Sequence, residues 1–454
     1  MTALVPATEL TSEWAPNDVT NHHGPLYASR KRRAGIISRK PLKYPDNLMA
    51  QLSQAFVENQ ISYSFNLLAL LFLADACLPK SRPYTRKFFT LSHHNDTTGK
   101  YAAGIDDIYF ISFCVVLFTF LRASVMHYVL TPIARMGGIT RSKMQARFTE
   151  QAWLLVYYGF FWSFGMYIYY TSSYWMNMKE LWTNWPDREL NGLSKLYILA
   201  QWGFWVQQVL VINIEERRKD HYQMLTHHFI TIALVSSCYS YHQTRVGILI
   251  LVLMDVVDLF LPLAKCLKYT GFSTLCDIMF GIFMVVWVVA RHVLYMAVCW
   301  SIYADIPVLI GNSCYTGNSA NMSGPFPTPG GYSYLIQPFF KSDGLVCFND
   351  TVRWLFLAPL LMLQVITLVW FTMIVRVAAR VIRGAGATDS RSDEEDSDQL
   401  EKKVDAASIN FSNWEKKNAK RQVITSTTTT SVSLAAHSGG KELLGRIGCE
   451  KHVE

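Results

Sequence analysis

Residues 215–258 read EERRKDHYQMLTHHFITIALVSSCYSYHQTRVGILILVLMDVVD. Two apolar runs, about 224–240 and 246–263, flank a polar turn at His242, Gln243 and Thr244. Each approaches the ~20 residues that a helix needs to cross a hydrocarbon core of ~30 Å. A turn this short makes the two helices antiparallel neighbours. His227 and His228 lie in the first run, Asp255 and Asp258 in the second. His228 and His227 are 13 and 14 residues from Tyr241; Asp255 and Asp258 are 10 and 13 residues from Arg245. At 1.5 Å per residue, all four sit roughly 15–21 Å from the turn. Asp255 and Asp258 are three apart and share a helix face. The reading predicts two imidazoles meeting two carboxylates inside a membrane.

The rest of the chain agrees with a membrane setting. Of 454 residues, 51% are apolar, 14% aromatic and 17% charged, with mean hydropathy +0.15. Soluble domains carry ~25% charge, so an ordinary soluble enzyme and a disordered chain are both disfavoured. The net charge of +8 is spread between apolar runs and forms no basic stripe, so no nucleic-acid partner is expected. Nine cysteines without a CxxC pair do not make a disulfide scaffold. Eight segments qualify as spans: about 61–78, 107–130, 152–171, 194–213, 224–240, 246–263, 276–303 and 353–378. The fold expected is an all-α polytopic integral membrane protein of about eight transmembrane helices.

Basic residues set the orientation. With the N-terminus in the cytosol, the cytosolic pieces carry 19 Lys and Arg near the spans and the lumenal pieces about nine. Five of those nine, in the loop from Lys80 to Lys100, run against the rule. Sequons at Asn95, Asn321 and Asn349 fall in loops this orientation calls lumenal, while Asn410 falls in the cytosolic tail. Cys314 and Cys347 share the last lumenal loop and are read either as a disulfide or as two free thiols. No cleavable signal peptide is read in the polar first fifty residues. The divisions expected are a cytosolic segment 1–60, a first span and loop 61–84, a catalytic membrane domain 85–383 and a disordered cytosolic tail 384–454. Ser390, Ser392 and Ser397 abut an acidic cluster in that tail and are candidate phosphorylation sites.

Ionisable groups inside spans are costly and mark function. A carboxylate bonded to one imidazole nitrogen would fix the tautomer and make the other nitrogen more basic. The His227, His228, Asp255 and Asp258 group could then supply a general base or an imidazole nucleophile for acyl transfer. A purely structural role, joining two helices, is the bland alternative. No metal is expected, because adjacent helical histidines diverge by about 100° and no second histidine box exists. Arg291, one turn after Trp287, needs a partner, for which Asp255 and Asp258 are candidates. Arg291 and Trp287 are counted as substrate-binding candidates. Arg217, Arg218 and Lys219 lie just below the histidine pair and could hold phosphates of coenzyme A.

The pieces RRKDH, M-x-x-HH, SY-x-x-x-TR-x-G and MD-x-x-D stand in order here, and Tyr101–Ala123 matches a further stretch. They resemble the signature of ceramide synthases of the longevity-assurance type, fungal branch, in the TLC-domain superfamily. The similarity runs over about residues 85 to 380. It implies N-acylation of a sphingoid base by a fatty acyl-CoA in the endoplasmic reticulum membrane, while the even number of spans puts both termini in the cytosol. It implies a barrel-like bundle of the second to seventh spans around an acyl tunnel. It places His227, His228, Asp255 and Asp258 at the family's catalytic positions, with an acyl-imidazole on His227. The acyl donor is a coenzyme A thioester, with no separate cofactor. Family members form homodimers, and some fungal ones need a small single-span regulatory subunit; beyond these, the partners implied are membrane lipids. The reading from a different class is a non-catalytic lipid transporter or sensor.

Overall fold

The computed structural model describes residues 55, 58–214 and 220–383. Long helices dominate: α1 (Gln60–Cys77), a short α2 (Arg82–Phe89), α3 (Asp107–Met136), α4 (Ser142–Tyr170), α5 (Gly192–Ile214), α6 (His221–Ser240), α7 (Thr244–Tyr269), α8 (Ser273–Leu309) and α9 (Asp350–Ile382). Among the described residues, five helices (α1, α3, α7, α8 and α9) are both long and apolar enough to cross a membrane. α4, α5 and α6 are as long as spans but carry more polar residues, several of which line the interior described below. The chain is a polytopic all-α membrane protein.

The helices pack as a ring. α3 packs on α5, α5 on α6, α6 on α9, α9 on α8, α8 on α7, and α7 on α4, which returns to α3. The ring therefore takes in the final helix as well as the six expected, because α9 fits between α6 and α8. α1 stands outside, against α3, and exposes Phe65, Leu67, Leu70, Phe72 and Leu73. Close crossings use small residues. A Cβ on Gly203 of α5 would lie 2.5 Å from the Cys114 Cβ of α3 and 3.2 Å from the Ile111 carbonyl.

Two small antiparallel sheets cap one end. β1 (His94–Asn95), β2 (Lys100–Ala102) and β3 (Glu189–Leu190) form the first. β4 (Ser313–Thr316), β5 (Ser323–Phe326) and β6 (Val346–Phe348) form the second, in the order β5-β4-β6. Cys314 and Cys347 face one another across β4 and β6 and form a disulfide. Asn349 then caps α9 by accepting from the Val352 N–H at 2.9 Å. Buried Arg188 ties the cap together. Its guanidinium donates to the carbonyls of Ser342, Tyr315 and Gly344 and to His242 Nε2 in the α6–α7 turn. Burial draws Arg188 down to about 10, so it stays charged at neutral pH. Below the cap, Lys195 is fully buried; it meets the Asp107 carboxylate at 2.7 Å and the carbonyls of Ser92 and Ala102.

Two helices depart from regular geometry beside the histidines. In α7 the Leu259 N–H reaches the Val256 carbonyl at 3.4 Å in a locally tightened turn, while Val256 itself keeps helical dihedrals. Pro262 follows and has no N–H to offer the Asp258 carbonyl. α8 carries a π-helical turn at Val288–Leu294, which holds Arg291; such turns recur at functional sites.

Candidate active site

His227 and His228 sit midway along the ring interior on α6. His228 is buried, and its Nδ1–H donates to the Met224 carbonyl one turn back at 2.6 Å. That bond selects the tautomer, and in the neutral ring it leaves the lone pair on Nε2. The His227 ring lies against His228, Trp205 and Trp370, with centroids 5.6, 5.8 and 5.4 Å away. Its Nδ1 is buried with no hydrogen-bond partner among the described residues. Three ring contacts thus fix an imidazole whose Nδ1 has no fixed donor or acceptor.

The two aspartates take different partners. Asp255 is fully buried and accepts from Gln201 Nε2 at 2.6 Å; Gln201 accepts in turn from Tyr157 at 3.0 Å. Asp258 meets Arg291 Nη2 at 3.0 Å. The same nitrogen donates to the Met254 carbonyl at 3.1 Å, and the guanidinium lies 4.2 Å over the Trp287 ring. Asp255 therefore faces α5, while Asp258 faces α8. Three residues apart on one helix, they differ by about 60° around its axis, enough to reach different neighbours.

Two cavities meet at this point. Toward the cap, an apolar one runs between α6, α7, α8 and α9. Toward the opposite end, a more polar one is lined by Arg122, Glu150, Asp220, His221 and Lys265, among others. His227, Asp258, Arg291 and Trp205 line both. His228, Trp287 and Trp370 line the polar cavity. The structure thus brings together His227, His228, Asp258, Trp287 and Arg291, and sets Asp255 behind them as a buried support. Arg217, Arg218 and Lys219 lie outside the described residues, as do the tail serines and Asn410. No cluster of three or more metal-ligating side chains occurs among the described residues.

Sequence reasoning left some neighbours unassigned. Gln201 stands out as a polar residue in an apolar run, but nothing in its spacing names Asp255 as its partner. Trp205 and Trp370 carry no signal at all, since aromatic residues are common in spans. Of the sequon asparagines, Asn321 is exposed. The Asn95 and Asn349 amides donate to Glu189 at 2.6 Å and to Tyr334 at 2.8 Å.

The TLC-domain family model matches residues 147–376, which span α4 to α9 and contain every residue of the site. Ceramide Synthase FUM18 of Gibberella moniliformis is 45% identical over 352 residues, covering 77% of this chain and 82% of that protein. Sphingosine N-acyltransferase lag1 of Schizosaccharomyces pombe is 35% identical over 393 residues, covering 84% and 94%. Ceramide synthase LAG1 of Saccharomyces cerevisiae is 31% identical over 318 residues, covering 69% and 71%. With this coverage, and with the site inside the matched region, the chain belongs to the TLC-domain family, on its ceramide synthase branch of acyltransferases.

Proposed function

We propose that the chain joins a fatty acyl-CoA to the amine of a sphingoid base, forming ceramide or dihydroceramide, at His227. The observation carrying this reading is the position of His227, at the junction of an apolar and a polar cavity. A fatty acyl-CoA has that polarity: a long alkyl chain, then a polar, charged carrier, with the reacting thioester between them. The acyl chain enters the apolar cavity and the carrier occupies the polar one. The cationic side chains lining that cavity, Arg122 and Lys265, receive the phosphates, with Arg217, Arg218 and Lys219 as further candidates from the sequence.

Two half-reactions follow. A His227 ring nitrogen attacks the thioester carbonyl, the carbon–sulfur bond breaks, and the leaving thiolate takes up the ring proton that the acylated imidazole gives up; the amine proton of the second step later restores it. Arg291, held by Asp258 and stacked on Trp287, places positive charge where the carbonyl oxygen becomes negative. The neutral sphingoid amine then attacks the acyl-imidazole, and the bond to His227 breaks. Nε2 of His228 is oriented to take the amine proton. Asp258 orients Arg291, and Asp255 fixes α7 against α5 through Gln201. The enclosed junction keeps water from the acyl-imidazole.

Eight spans, with both termini cytosolic and the disulfide cap in the lumen of the endoplasmic reticulum, fit this chemistry. The polar cavity then opens toward soluble coenzyme A, and the disulfide stands in an oxidising compartment. A homodimer and a small regulatory subunit remain partners suggested by the family. Incubating the purified chain with sphinganine and acyl-CoA should release free thiol and form ceramide in equal amounts. A lipid transporter or sensor would do neither.

A further inference from the structure

Toward the cap the apolar cavity is lined by the buried Trp182, Ile306 and Phe348, and its depth is measurable along the helices. From His227 to Cys238, both on its wall, α6 advances eleven residues, about 16 Å. From Arg291 to Ile306, α8 advances fifteen residues, about 22 Å. An extended alkyl chain, with bonds of about 1.5 Å meeting near 111°, advances about 1.25 Å per carbon. The cavity therefore takes roughly 13 to 18 carbons beyond the reacting carbonyl. A chain of 24 or 26 carbons, about 30 Å or longer, would overrun it.

The cap end is built rigidly. Trp182, Ile306 and Phe348 form it, each 2% exposed. Trp182 comes from the α4–α5 connection and not from the loop between α8 and α9. Its indole N–H donates to Ser301 Oγ at 2.8 Å, and Ser301 donates to Asp305 at 2.7 Å. On either side of it, the Glu180 and Thr183 carbonyls accept from Arg245 at 3.1 and 3.3 Å. Phe348 follows the disulfide-bonded Cys347 and packs edge-on to Trp185, 5.5 Å between centroids. Moving Trp182 would break bonds to two helices, so the stop is rigid. We infer that Trp182, with Phe348, sets the acyl length and selects long-chain acyl-CoAs of about 14 to 19 carbons over very-long-chain ones. This rests on the acyl-transfer reading of the same site.

The test uses membranes from cells that express the full chain and lack their own ceramide synthases. They receive sphinganine and an equimolar mixture of 16-, 18-, 24- and 26-carbon acyl-CoAs, and the ceramides are measured by mass spectrometry. The expected result is an excess of 16- and 18-carbon products of roughly tenfold or more, the discrimination typical of a fixed hydrophobic pocket. Trp182→Ala should shift the product ratio toward 24 and 26 carbons by about tenfold, while Trp182→Phe, which keeps the bulk, should not. Val235→Phe, which fills the cavity part-way down, tests the same depth should Trp182→Ala fail to accumulate, and should favour chains shorter than 16 carbons. A wild type that prefers 24 and 26 carbons overturns the inference and leaves acyl transfer standing. A product ratio unmoved by Trp182→Ala, or by Val235→Phe, also overturns it. No ceramide of any length from abundant protein overturns both readings.

Discussion

At the residue scale, the site depends on how two imidazoles and one guanidinium are held. His228 is oriented by the Met224 carbonyl of its own helix, so its tautomer depends on α6 remaining helical there. Arg291 and Asp258 depend on each other. Arg291→Met strips Asp258 of its counter-ion and should cost about 1–3 kcal/mol of stability, with most activity lost. Adding Asp258→Asn should restore the thermal midpoint but not turnover; recovery of turnover in the double variant would show that Arg291 has no part in the chemistry. The sequence made His227, His228, Asp255 and Asp258 legible because ionisable groups at matched depth are rare in spans. It did not show which partners they take. The pairing of Asp255 with Gln201 and of Asp258 with Arg291 depends on which helices flank α7, and the residue pattern of one segment does not encode its neighbours.

At the element scale, apolar length located the long helices but not all their ends: α4, read as 152–171, begins at Ser142, and α3, read to 130, runs to Met136. The first span read as 61–78 is Gln60–Cys77, and the last, read as 353–378, is Asp350–Ile382. The cap was less legible. Its strands are two to four residues long, and Arg188 reaches carbonyls more than a hundred residues away, which no local pattern encodes. The cap carries a pH dependence. Burial, and then the neighbouring Arg188, push the His242 imidazole down to about 3. The unfolded chain binds a proton there that the folded chain does not, so stability is complete above the ordinary histidine value and falls as the pH drops toward 3. Between pH 7 and 5 the loss should be about 2 kcal/mol, read as a lower thermal midpoint in detergent. His242→Gln should flatten that slope, and an unchanged slope would assign the dependence elsewhere. Gly203→Ala should cost about 1–3 kcal/mol, because its Cβ meets Cys114 at the crossing of α3 and α5.

At the scale of the whole molecule, a ring of helices encloses two cavities, one almost wholly apolar and one with charged side chains in its wall, with His227 where they join. The all-α membrane class was legible from composition and run length. The part played by α9 was not, because a final apolar span looks the same whether it closes a ring or stands beside it. Orientation is testable at the cap. Asn321 is exposed there, whereas the Asn95 and Asn349 amides are engaged. A glycosidase-sensitive gel shift should therefore disappear in Asn321→Gln, and a shift that persists unchanged would place the glycan on another asparagine. The central claim is that His227 carries the acyl group between donor and amine. Its most direct test is to incubate purified wild type and His227→Ala, each shown to be folded by its thermal midpoint, with a 16-carbon acyl-CoA and no sphingoid base. Mass spectrometry then looks for a mass increase of one acyl chain, after which sphinganine is added. The account predicts an acyl adduct on the peptide containing His227 in the wild type, its discharge to ceramide by sphinganine, and turnover lower by roughly a thousandfold or more in the variant. Ceramide formed at the wild-type rate by folded His227→Ala would contradict it.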